Sequence, residues 1–169
     1  MTMKDYHTIV VGTDGSSLAS PTVGRAAWLA KHDDANLVVV CAYARLSRRD
    51  EAKNVATLGG DSRVGQVLGR TAAGAALTEA MKVAAAEGAT VTAALLIDGE
   101  PAEALVSTAR EQRADLIVLG SLHDRTLADR LLGSTAEEVL KRAACDVLIV
   151  RPEFESGELE VPEDAAVGH

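Results

Sequence analysis

An open α/β fold, a five-stranded parallel sheet with helices on both faces, is predicted by three observations. Short Val-rich runs alternate with Ala-rich stretches of helical periodicity. Glycine and other turn formers close most of those runs. Aromatic residues are scarce, limited to Trp28, Tyr6, Tyr43 and Phe154, so the core rests on Val, Leu, Ile and Ala. That composition suits strands buried on both faces between helices. At 169 residues the chain is large enough to bury its own core as one domain.

The elements follow in order. Met1 to Tyr6 is a short leader. The run His7 to Gly12 reads as a first buried strand, and Gly12-Thr13-Asp14-Gly15-Ser16 ends it with turn chemistry. Ser16 or Ser17 is placed to cap a helix that carries Pro21 in its first turn. Val23, Ala26, Ala27 and Ala30 recur there at helical spacing. Leu37 to Tyr43 is a second strand. From Leu46 to Gly65 periodicity is lost, which reads as a long irregular connection.

Gln66 to Glu87 reads as one long Ala-rich helix, with Val67, Thr71, Gly74, Ala75, Leu77, Thr78 and Met81 near one face and Gly88 as its stop. Thr90 to Ile97 is a third strand. Asp98-Gly99-Glu100-Pro101 starts a helix with proline at its first position. Ala104, Leu105, Thr108 and Ala109 form that helix's inner face. Asp115 to Leu119 is a fourth strand, Thr135 to Ala144 a last helix, and Asp146 to Arg151 a fifth strand.

Net charge is −8, and six of the acids, Glu153, Glu155, Glu158, Glu160, Glu163 and Asp164, lie after Arg151 in a stretch without Lys or Arg. Without them the chain is close to neutral. A basic stripe, the usual footprint of nucleic-acid binding, is missing. The division that follows is a domain over residues 1–151 and an acidic, disordered tail over 152–169. The apolar runs are too short to span a membrane and no signal peptide is legible, so the expected compartment is the cytoplasm. Cys41 and Cys145 read as separate buried or half-buried thiols, and His7, His32, His123 and His169 are scattered without metal-ligand spacing.

The most informative stretch is Gly120 to Ala136, G-S-L-H-D-R-T-L-A-D-R-L-L-G-S-T-A. It runs from a strand through a glycine turn and a loop to a second glycine and a helix start. Unpaired N–H groups and the positive end of the helix dipole make such a junction an anion site. Read alone, each residue has a structural explanation. Asp14 can make an Asx turn, Ser134 can cap a helix and Gly120 can end a strand.

This spacing resembles that of the nucleotide-binding members of the universal stress protein family. Their motif is Gly, two residues, Gly, nine residues, Gly, then Ser or Thr. Gly120, Gly133 and Ser134 match it, Thr135 and Ala136 fall on less restricted positions, and His123 stands where the second glycine is expected. The segments V-V-G-T-D-G-S and D-V-L-I-V-R-P also look like family segments, so the resemblance covers residues 5–151.

The resemblance implies a Rossmann-like sheet of order 3-2-1-4-5, with a ligand at the switch point between the first and fourth strands. It implies an adenine nucleotide as ligand, namely ATP, AMP or cyclic AMP, with or without Mg2+. Gly12, Thr13, Asp14, Ala42, Leu119, Gly120, His123, Gly133, Ser134 and Thr135 are the expected binding residues. Backbone groups near Ala42 would read the base, Asp14 would lie near base and ribose, and Gly133 to Thr135 would hold phosphate. The resemblance also implies a homodimer through Val147 to Val150, an apolar strand at a sheet edge. No triad, metal cluster or Walker lysine supports catalysis. A regulatory binding protein of the stress response is therefore expected. A nucleotide-free interaction protein of the same fold and a slow ATPase are the alternatives.

Overall fold

The structure is a computed structural model that describes residues 5–47, 67–121 and 132–151. Its elements, in chain order, are β1 (Thr8–Gly12), α1 (Ala19–Asp33), β2 (Asn36–Ala44), β3 (Val67–Leu68), α2 (Arg70–Ala86), β4 (Val91–Asp98), α3 (Pro101–Glu111), β5 (Leu116–Gly120), α4 (Ser134–Arg142) and β6 (Asp146–Val150). All strand pairings are parallel. β2 pairs with β1 and β4, β1 with β5, and β5 with β6. The five expected strands are thus present in the expected 3-2-1-4-5 order, here β4-β2-β1-β5-β6.

Burial follows from the two-residue period of a strand. Ile9 and Val11 pack with Leu37, Val39 and Val118 against the alanines of α1 and α2. Val10 packs with Val38, Val40, Ile117 and Leu119 against α3 and α4. β1, the central strand, has Ile9, Val10 and Val11 fully buried. Its start is pinned by the Asp115 carboxylate, which accepts the N–H groups of His7 and Thr8 at 2.9 and 3.0 Å. Tyr6 ties the leader down as well. Its N–H donates to Asp33 and its hydroxyl to Asp146, both at 2.9 Å.

Two local expectations fail. The helix read from Gln66 begins at Arg70, because Val67 and Leu68 pair with Tyr43 and Ala44 as a sixth, two-residue strand. Gly69, at φ 87° and ψ 146°, then breaks the chain direction before the helix. Such a dihedral pair belongs almost only to glycine. The buried face of α2 is Ala73, Ala76, Leu77, Ala80 and Ala84, whereas Met81 is exposed. In an Ala-rich helix the few large residues are poor guides to the inner face, since alanine lets the helix sit close to the sheet. Second, the residue at the N-cap of α1 is Leu18, in place of Ser16 or Ser17. The helix starts after Leu18 without a side-chain cap, and Ser16 contributes its carbonyl, which accepts the Ala19 N–H at 3.0 Å.

The strand Val147 to Val150 lies at the sheet edge and pairs only with β5 among the described residues, its side chains half-buried. His123 and the tail 152–169 lie outside the described residues. Among those described, no helix is long and apolar enough to cross a membrane.

Candidate functional site

β1 leads into α1 on one face of the sheet, and β5 leads toward α4 on the other. Because the two strands are neighbours, their carboxyl ends part and leave a crevice, the usual ligand position in an open α/β sheet. A cleft of about 860 Å³, part of it open to solvent, lies there. Nine of the ten expected residues line it: Gly12, Thr13, Asp14, Ala42, Leu119, Gly120, Gly133, Ser134 and Thr135.

Each is placed by a local cause. Thr13 continues the ladder, its N–H donating to the Val40 carbonyl at 2.9 Å. Asp14 makes the Asx turn that its neighbours suggest, one carboxylate oxygen accepting the Ser16 N–H at 2.9 Å. Gly133 sits at φ 86° and ψ 155°, and turns the incoming chain so that α4 starts at the cleft. The first bond of α4 runs from the Glu137 N–H to the Gly133 carbonyl at 3.0 Å. The N–H groups of Ser134, Thr135 and Ala136 therefore have no partner within the helix, and no side chain caps that end. Three aligned donors and the positive end of the dipole are available to an anion.

Gly120 has a different reason to be glycine. A Cβ there would stand 2.9 Å from Leu18 Cδ2 and 3.0 Å from Thr22 Oγ1, so α1 already fills the space. Gly12 meets Leu105 in the same way from the opposite face, at 3.2 Å. The two leucines form apolar walls of the cleft, with Val40 and Pro101 beside them. Sequence reasoning did not find this part of the lining. The available signal was Pro101, which begins α3 at the carboxyl end of β4.

Asp14 is the one charged side chain among the described lining residues. Cys41, the adjacent residue to Ala42, faces the opposite side of the sheet and is fully buried. Burial first, and the Asp14 charge second, push its thiol up to about 12. Cys145 is also free, its thiol raised by partial burial and then by Asp146 and Asp115. Neither supplies a thiolate nucleophile near neutral pH.

An open parallel sheet with a helix N-terminus over its switch point defines the Rossmann-like class of α/β proteins. The comparisons narrow the class. The sequence model of the universal stress protein family matches residues 5–151, and the chain belongs to that family. Universal stress protein Rv1636 of Mycobacterium tuberculosis is 40% identical over 148 residues, which cover 88% of this chain and 98% of the relative. Among solved structures, a universal stress protein in complex with cAMP is 35% identical, with TM-score 0.63, over 88% of this chain and 98% of the other. A universal stress protein of Archaeoglobus fulgidus in complex with dAMP is 26% identical, with TM-score 0.59, over 86% and 98%.

Proposed function

We propose that this protein binds an adenine nucleotide in the cleft between the carboxyl ends of β1 and β5 and acts as a regulatory binding protein of the stress response in the cytoplasm. The observation that carries the reading is the uncapped start of α4. Gly133 aims three N–H groups that have no partner within the helix into a cleft that also contains an apolar slot. Phosphate oxygens take the N–H groups of Ser134, Thr135 and Ala136. The base lies between Val40 and Ala42 on one side and Pro101 and Leu105 on the other, with its edge on the backbone of Ala42. The second Asp14 oxygen is directed to an amino or hydroxyl donor of the ligand. The cAMP and dAMP held by relatives support the ligand class.

Among the described residues the lining holds no Lys or Arg, and the positive potential they supply is that of the helix end. One helix terminus is equivalent to about half an elementary charge. That suits AMP or cyclic AMP better than the tetra-anion of ATP, which would bring Mg2+ as a counter-ion. Calorimetry with AMP, cyclic AMP, and ATP with and without Mg2+ tests the reading. Binding of a monophosphate more tightly than metal-free ATP is expected, and no saturable heat at millimolar nucleotide contradicts it. The apolar edge strand β6 supports a homodimer through Val147 to Val150, since uncovered apolar edges invite pairing. Sedimentation at micromolar concentration checks the dimer, and a monomer refutes it.

A further inference from the structure

We infer that the two-residue strand β3 is a strap that competes with the nucleotide base for the backbone edge of Ala42, so that ligand binding releases it. The inference rests on the nucleotide reading above and adds regulation to that site.

The argument comes from which way the carbonyls of β2 point. The Val40 carbonyl accepts the Thr13 N–H and so points to the β1 edge. The Tyr43 carbonyl accepts the Gly99 N–H, just past the end of β4, and so points to the other edge. The Ala44 carbonyl accepts the Gly69 N–H at 2.9 Å. Carbonyls alternate along a strand, so those of Val40, Ala42 and Ala44 share one edge. β3 therefore lies on the β1 side of β2, beyond the point where β1 ends. Ala42 sits between the Thr13 attachment and the β3 attachment. The register, with Tyr43 beside Val67 and Ala44 beside Leu68, turns the Ala42 carbonyl toward Val67. A base that reads Ala42 through its backbone needs this same edge.

The strap is built to be released. It is two residues long, with Val67 buried and Leu68 exposed. Gly69 turns the chain away at once into α2. A further tether among the described residues is the bond from the Arg70 guanidinium to the Tyr43 hydroxyl, at 3.3 Å. Occupancy of the cleft is thereby reported at the start of α2, on the face of the sheet opposite α3 and α4.

Amide exchange on the full chain with saturating AMP tests the strap. Ordinary ligand tightening slows exchange, whereas strap release speeds exchange of the Gly69 amide by about fivefold or more. Bound AMP with Gly69 protection unchanged or increased overturns the strap and leaves the nucleotide reading standing. No AMP binding at all overturns both. Val67→Pro removes the N–H at the Ala42 edge. It is expected to tighten AMP binding by about 3- to 10-fold, because less of the protein starts in the occluded form. A folded Val67→Pro variant with equal or weaker affinity overturns the strap. Should that variant fail to fold, Gly69 exchange in the native chain decides.

Discussion

Two helices in this molecule start with nearly the same backbone. Gly69 precedes α2 at φ 87°, ψ 146°, and Gly133 precedes α4 at φ 86°, ψ 155°. The sequences that follow are Arg70-Thr71-Ala72 and Ser134-Thr135-Ala136. Neither helix has a side-chain cap. Yet α4 opens into the cleft, while Gly69 gives its N–H to Ala44 and binds α2 to the end of β2. Local geometry makes both ends attractive to anions. Topology decides which one a ligand reaches, because only α4 follows a strand at the switch point.

The largest expected effect breaks the symmetry of the pair. Alanine at either glycine forces a backbone conformation that non-glycine residues adopt at a cost of about 1–3 kcal/mol. Gly69→Ala and Gly133→Ala should therefore lose similar stability in urea melts. Only Gly133→Ala should weaken AMP binding, by about tenfold or more, since it turns the three donors away. Equal losses of affinity would show that the two ends are not functionally distinct.

Gly120→Ala sharpens the contrast by separating packing from ligand approach. Its Cβ would stand 2.9 Å from Leu18, and overpacking of this kind costs about 1–3 kcal/mol. The cost should shrink in a Leu18→Ala background, read as a double-mutant cycle. A full cost in both backgrounds would mean that the strain has another source.

Asp14→Ala removes the acceptor of the Ser16 N–H. The loss should be about 1 kcal/mol of stability. A melt that does not move would show that the Asx turn is dispensable.

The smallest effect is a control on all of these variants. The Cys41 thiol, raised to about 12 by burial, stays protonated in the folded chain. Its folded pKa lies above the unfolded one, so the associated stability is complete below pH 9 and declines as pH rises toward 12. Iodoacetamide at pH 8 should leave Cys41 unlabelled in every folded variant. Rapid labelling in one of them would reveal global opening instead of a local change at a helix start.

The sequence made most of the sheet legible, because strands buried on both faces read as unbroken runs. Leu37 to Tyr43 and Leu116 to Leu119 show this plainly. The strand order came from family resemblance, since periodicity cannot rank neighbours. Val67 and Leu68 were absorbed into the helix that follows, because two residues are too few to carry a period. Ser134 and Thr135 of the cleft were legible through glycine spacing, and Thr13 and Asp14 through the turn that ends the first strand. Its apolar walls were not. Leu18 and Leu105 are ordinary helix-facing leucines until the fold sets them against Gly120 and Gly12. Gly120 was open to two readings, ligand approach and the end of a strand, and only the structure shows that α1 fills the space beside it.

The most direct test of the account compares AMP with adenosine by amide chemical shifts in one labelled sample. Subtracting the adenosine response isolates the phosphate. The account predicts that this difference is saturable and falls on Ser134, Thr135 and Ala136, while Arg70, Thr71 and Ala72 show none. A phosphate-dependent shift centred on Arg70 to Ala72, or no saturable difference at either helix, would contradict it.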